Sequence, residues 1–361
     1  VESEQQATVV IIGAGQAGLS AGYHLQRRGF TSALHDPEGE RTFVMFDANS
    51  APGGAWQHRW DSLLVANLNS IFDLPDLPQP PMTGQERSRD AIPQYFAQFE
   101  ALHRLPIVRP VQVQQVRESD EAGSRSLTVT TSQGQWRARA IINATGTWNN
   151  PVLLVIEGVE TFAGEQLHTR DYGQLPDLAG KRVAIVGGGI SALQHLEEIS
   201  RTATTAWYTR TPPKWRESAF NDEAGRDTIA RVTADVEAGR PTGSVVSYTG
   251  LPRTNYAKAA EARGALQRRP MFTRIEPWGV READGSFTSI DVIVWATGFK
   301  ADLAHLAPLQ LRNAAGGIAV KGTQVVGDDR LHLIGFGPSQ STVGANRAGK
   351  AAAASIVRYL R

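Results

Sequence analysis

The chain contains no cysteine. That excludes disulfides, thiolate metal sites and any redox-active Cys-x-x-Cys pair, so a disulfide relay is not open to it. An excess of one charge is missing too: 37 Lys and Arg against 36 Asp and Glu leave a formal net charge of +1. Such a balance provides no field to attract nucleic acid or an anionic membrane surface. Long apolar runs are also absent. The two most apolar stretches, residues 9–19 and 183–193, are too short to cross a bilayer and are broken by glycines. No basic-then-apolar signal segment opens the sequence, and a cytoplasmic location is the default expectation. The scattered histidines and carboxylates form no metal-ligand spacing, so no metal is expected. What remains is a 361-residue chain, 41% hydrophobic and 20% charged, with room for two globular domains.

The informative feature is a repeat. Residues 7–12 (ATVVII) form a short β-branched run suited to a buried parallel strand. Gly13-Ala14-Gly15-Gln16-Ala17-Gly18 follows, then an amphipathic segment that stops at Gly29. Residues 181–186 (KRVAIV) repeat the plan, leading into Gly187-Gly188-Gly189-Ile190-Ser191-Ala192 and a helix-like segment to about Ser200. Each copy has a late partner, an apolar strand ending in Ala-Thr-Gly: residues 140–146, with Thr145 and Gly146, and residues 291–298, with Thr297 and Gly298. Two matched pairs at long range predict an α/β protein with two Rossmann-like dinucleotide-binding domains, the second inserted into the first. The expected division is 1–165 and 293–361 for the first domain and 166–292 for the second. Residues 149–151 and 162–180 read as connections. Residues 212–269 read as surface helices and loops of the second domain, and the chain's end reads as a strand and a helix returning to the first.

A Gly-x-Gly-x-x-Gly turn removes side chains where a pyrophosphate must approach the backbone. The first glycine permits the turn, the second the approach, the third the packing of helix on strand. The helix N-terminus then faces the phosphates with its positive end. An acidic residue at the end of the second strand should hold the adenosine ribose. Asp47, after residues 42–46 (TFVMF), suits this, although it lies further from Gly18 than the usual spacing of about 20 residues. The excess matches a polar stretch, residues 35–41 (HDPEGER), read as an inserted loop or hairpin; Asp36 within it is the rival choice. In the second copy the third glycine is Ala192, and the second strand, residues 206–209, ends in Arg210-Thr211 rather than in an acid. A guanidinium binds a 2′-phosphate that a carboxylate would repel, so the second nucleotide is expected to be NADPH. Lys214 and Arg216 would add to that positive patch.

At this point the chain resembles the flavin-containing monooxygenases, especially the short bacterial ones of the class B flavoprotein group, over nearly its whole length. Gly13–Gly18 matches their FAD fingerprint, and Gly187–Ala192 their NADPH fingerprint. Gly53-Gly54-Ala55-Trp56 matches their Gly-Gly-x-Trp element, and Trp295-Ala296-Thr297-Gly298-Phe299 their late Ala-Thr-Gly-Phe element. Phe162-x-Gly164-x-x-x-His168-x-x-x-Tyr172 matches their signature, the most specific of these, and tyrosine at its end resembles the heteroatom-oxidising branch.

The resemblance implies FAD and NADPH as cofactors, with Gly54 and Trp56 beside the flavin and the segment holding His168 and Tyr172 positioning the nicotinamide nucleotide. It implies transfer of one oxygen atom from O2, through a flavin C4a-hydroperoxide, to a small nucleophilic substrate: a sulfide or amine, in some relatives a ketone. Asn67 is the choice for the asparagine many members place near the flavin, with Asn69 the alternative. Trp56 and Trp60 are candidates to wall the flavin from water, without which the adduct decays to peroxide. The competing functions are an NADPH oxidase or reductase on the same fold and a non-catalytic redox sensor. A homodimer is the usual expectation for such a chain.

Overall fold

The computed structural model describes residues 5–68, 71–120, 123–173, 177–216 and 222–361. Asn69 lies outside them. The described residues form two units: 1–149, 231–242 and 301–361 in the first, and 150–230 and 243–300 in the second.

The strand Gln5–Ile12 lies inside the first unit's sheet because both of its faces are apolar. Parallel partners flank it: Thr42–Phe46 on one side, with Val10 opposite Val44, and Gly134–Asn143 on the other, with Val10 opposite Ile141. Leu331–Leu333 adds a further parallel strand beyond Gly134–Asn143. Alternation then sorts the side chains. Val9 and Ile11 face the helices Gln16–Gln26, Ser88–His103 and Thr342–Tyr359, joining Leu19, Ile92, Phe96, Phe99 and Ile356. Val10 and Ile12 face the other way, joining Val116, Leu127 and Val129 of the antiparallel ribbon Val113–Glu118 and Leu127–Thr131. The result is three layers, with a parallel sheet between helices and a β-ribbon.

In the second unit five parallel strands lie in the order Arg268–Pro270, Thr204–Thr209, Arg182–Val186, Val292–Trp295 and Glu165–His168. Val183 to Val186 are buried, as a central parallel strand requires. The helix Ile190–Ile199 covers the sheet, turning Ala192, Leu193, His195, Leu196 and Ile199 inward. A three-stranded antiparallel sheet, Arg274–Glu276, Gly279–Arg281 and Phe287–Ser289, completes the unit.

Three boundaries differ from those read off the sequence. Residues 150–165 lie in the second unit, where Leu154, Ile156 and Val159 pack on its core. Residues 293–300 also stay there, because Val292–Trp295 is a strand of its sheet. Within 212–269, residues 231–242 belong to the first unit instead: Val236 is part of a first-unit core, and Gly317 donates to the Gly239 carbonyl. Few apolar side chains mark that segment in the sequence, so its attachment left little periodicity to read.

Candidate functional site

Each glycine turn sits where a central strand meets its helix. In the first unit the roles of the three glycines separate cleanly. Gly13 has φ +101°, and a Cβ there would lie 2.5 Å from the Ala144 carbonyl oxygen. A Cβ on Gly18 would lie 1.9 Å from the Gly13 oxygen. At Gly15 a Cβ would meet nothing within 4 Å. Two glycines are therefore required by the protein's own packing and one faces open space. Gly54, φ +52°, brings its Cα side to Gly15: a Cβ there would lie 3.0 Å from the Gly15 Cα. The helix Gln16–Gln26 begins here with Gly15 as N-cap and no side chain capping it. Gln16 and Ala17 are buried in its first turn, and the Gln16 Oε1 is a buried acceptor with no donor among the described residues. Free helical N–H groups, a bare glycine and a turned-in glycine pair form a cradle that fits a pyrophosphate.

Asp47 ends the strand beside Gln5–Ile12 and is only 3% exposed. Asn49 donates to its Oδ1 through both backbone N (3.1 Å) and Nδ2 (2.9 Å), and Arg109 donates to its Oδ2 at 3.1 Å. Arg109 is in turn held by Glu100 at 2.6 Å. The rival, Asp36, is exposed in a loop without strand structure. Asn67 ends the short helix Val65–Asn67 and is exposed. Trp56 is half-buried, and Trp60 is 3% exposed.

The second unit repeats the turn with a change. A Cβ on Gly187 would lie 2.1 Å from the Ala296 oxygen, while one on Gly189 meets nothing within 4 Å. Ala192 is fully buried and tolerated in the third position, and Ile190 and Ser191 open the helix half-buried. Thr204–Thr209 ends beside it, and Arg210 and Thr211 emerge exposed, as does Lys214; Arg216 is half-buried. On the adjacent strand Arg268 donates to the Thr209 Oγ1 and carbonyl at 2.9 and 3.1 Å, placing a second guanidinium at this strand end.

The two Ala-Thr-Gly elements behave alike. Thr145 donates to the Asp302 carbonyl at 2.6 Å, and the Gly146 oxygen accepts from Asp302 N at 2.9 Å. Thr297 donates to the Val152 carbonyl, and the Gly298 oxygen accepts from Val152 N at 2.9 Å. In each unit the threonine ties a strand end to the segment on which the chain enters or returns. Gly146 and Gly298 have φ +64° and +81°, with open space at the Cβ position.

His168 caps the short helix Thr169–Asp171. Its Nδ1 accepts from Arg170 N at 3.1 Å, which puts the ring proton on Nε2 in the neutral form. Burial pushes its pKa down, so it is neutral. Tyr172 is 1% exposed and stands 4.5 Å from the His195 ring. Burial first, and then the Glu198 carboxylate, hold its hydroxyl protonated. His195, which sequence reading passed over, completes the cluster: its Nε2 is 3.2 Å from Thr169 Oγ1, and burial pushes it down to about 3. The signal was a single polar residue in the buried stripe of a helix. Among the described residues no group of three or more His, Asp or Glu could hold a metal, and no helix is long and apolar enough to cross a membrane.

Comparison with known proteins gives the family. Residues 10–231 match the family model described as pyridine nucleotide-disulphide oxidoreductase, and the chain belongs to that family. It is an oxidoreductase of the flavin monooxygenase group within it, whose cofactors are FAD and a nicotinamide nucleotide. The flavin-containing monooxygenase from Stenotrophomonas maltophilia is 34% identical, with a TM-score of 0.80 covering 99% of this chain and 100% of that one. A Bacillus velezensis protein named uncharacterized oxidoreductase CzcO is 23% identical over 82% of both chains. A Baeyer-Villiger monooxygenase of Streptomyces coelicolor is 26% identical over 58% of this chain and 39% of its own. The disulphide chemistry in the family's description is not available to a chain without cysteine.

Proposed function

We propose that the protein is an NADPH-dependent FAD monooxygenase that transfers one oxygen atom from O2 to a small nucleophilic sulfide or amine. The observation that carries this is the doubled glycine cradle, with Gly15 and Gly189 each facing open space while Gly13 and Gly187 are fixed by packing. In the first unit Gly13, Gly15, Gln16, Ala17, Gly18, Asp47, Gly54, Trp56, Thr145 and Gly146 hold FAD. In the second, Gly187, Gly189, Ile190, Ser191, Ala192, Arg210, Thr211, Thr297 and Gly298 hold NADPH, and the His168–Tyr172 segment positions it. Asn67, exposed at the end of the short helix Val65–Asn67, is the proposed polar contact on the reacting side.

When bound, FAD would supply the redox chemistry that couples NADPH and O2 to oxygenation of the substrate. The protein's part is to bind, orient and keep water out. Trp56 and Trp60 offer apolar walls, and His168, neutral and with its Nδ1 engaged, supplies a hydrogen-bond geometry rather than an acid or base.

Stoichiometry tests the reading. Purified yellow protein is supplied with NADPH, O2 and a panel of sulfides, amines and ketones. Oxygenated product in proportion to NADPH, with little peroxide, is expected. Peroxide in proportion to NADPH with every substrate would make the protein an oxidase, and flavin binding without turnover would make it a sensor.

A further inference from the structure

Directly after the Gly53-Gly54 turn stands a cation with no carboxylate partner among the described residues. Arg59 follows the short helix Gly54–His58, and its guanidinium carbon lies 4.5 Å from the Trp148 ring centroid and 5.2 Å from that of Trp56. Its Nε is buried and donates to nothing, and no carboxylate pairs with it among the described residues. Burial alone pushes it down to about 10, so it remains charged at neutral pH. The nearest acid along the chain, Asp61, is engaged by Arg89 at 2.7 Å and Arg87 at 4.0 Å.

Two other enclosed arginines are treated differently. Arg109 and Arg330, whose side chains are 14% and 9% exposed, each meet two carboxylates: Glu100 and Asp47, and Glu118 and Asp328. Burying a guanidinium without such partners is unfavourable, and contact with two indoles offsets only part of the loss. The clamp is also held from behind. The His58 ring stacks on Trp148 at 6.3 Å and 12°, its Nε2 is 2.6 Å from Asn49 Oδ1, and Asn49 is anchored to Asp47. A preorganised cation with its Nε buried is a place for a ligand anion.

We propose that Arg59, clamped between Trp56 and Trp148, binds the carboxylate of the substrate, so that the oxygen acceptor is a small thioether or amine bearing a carboxylate. A single guanidinium fork matches one carboxylate in charge and geometry. A phosphate dianion would call for a second cation, and Arg87 and Arg89 are committed to Asp61 and Asp90. The identity of the acceptor rests on the monooxygenase reading; the anion site does not. For a thioether, one atom of O2 bonds to sulfur, which is oxidised to the sulfoxide. The other leaves as water with two electrons from NADPH, its hydrogen and one proton.

The experiment titrates the holoprotein with 3-(methylthio)propionate, its methyl ester and inorganic phosphate, following tryptophan fluorescence. Turnover of acid and ester is measured in parallel. A saturable change with the acid, absent with the ester and weaker with phosphate, is expected, since two of the indoles flank the site. Arg59→Lys should weaken acid binding about tenfold, and Arg59→Gln should lower the acid-to-ester ratio of kcat/KM about tenfold to a hundredfold. Equal binding of acid and ester, tighter binding of phosphate, or an unchanged ratio in Arg59→Gln would overturn the proposal. A protein that binds the acid through Arg59 but oxygenates neither compound would support the anion site and sink the monooxygenase reading.

Discussion

A methyl group distinguishes two kinds of glycine in the first turn. Gly13→Ala forces a side chain onto φ +101° and into the Ala144 carbonyl, and it should cost at least about 2 kcal/mol of stability. Gly15→Ala meets no atom, and Gly15 has φ −82°, ordinary for alanine. Its stability should stay within about 0.5 kcal/mol of the parent, while its affinity for FAD falls at least about tenfold, because the methyl occupies the pyrophosphate's approach. Thermal melts of the apoproteins and flavin reconstitution separate these; an unaltered flavin affinity in Gly15→Ala would remove the cradle assignment. Arg210 is tested by cofactor preference. Arg210→Ala should raise KM for NADPH about tenfold or more relative to KM for NADH. Equal effects on both would take the 2′-phosphate away from this residue. At this scale, motif positions were legible because glycines and Ala-Thr-Gly leave side-chain patterns. Arg109, His195 and Arg59 were not, since what makes each notable is a partner, or the lack of one, supplied by residues distant in sequence.

The helix Thr342–Tyr359 carries its information in small residues. Ala345, Ala348, Gly349, Ala352 and Ala353 are its buried face, and the helix lies against Gln16–Gln26, with Ser20 Oγ donating to the Asn346 carbonyl at 2.9 Å. A Cβ at Gly349 would come within 2.7 Å of Ala21 N and Ser20 Oγ. Gly349→Val should therefore lower stability by about 2–3 kcal/mol, whereas Lys350→Ala, exposed on the next position, should change it by less than about 0.5 kcal/mol. Urea unfolding of both variants decides; equal midpoints would mean that the two helices do not meet closely here. The return of this helix to the first domain was readable from its alanine-rich run after an apolar strand. The helix Asp222–Glu237 was not readable in the same way, because Val232 and Val236 attach its end to the first unit with two apolar residues.

Both units hide histidines, and this gives the whole molecule a predictable response to acid. His305 and His332 in the first unit are pushed down to about 4, and His195 in the second to about 3, in each case chiefly by burial. Each keeps a neutral-ring contact: His305 with Asn143 at 2.6 Å, His332 with Thr323 at 2.9 Å, and His195 with Thr169 at 3.2 Å. An unfolded histidine takes up a proton near pH 6.5, so between that pH and about 4 the unfolded chain binds more protons than the folded one. Stability is whole above about pH 7 and falls as the pH drops through 6.5. At pH 5 each histidine contributes a loss of about 2 kcal/mol, and three together about 6 kcal/mol, which is comparable to the whole stability of an ordinary domain. Carboxylates lowered by ion pairs, such as Asp291 at about 2, add their loss only at lower pH. The urea midpoint should therefore fall steeply between pH 7 and pH 5, and His332→Asn should flatten that slope by about one proton's worth at pH 5 while also lowering stability at pH 7. A midpoint that is level from pH 7 to pH 5 would show that these rings are protonated in the fold, and their buried contacts would have to be redrawn.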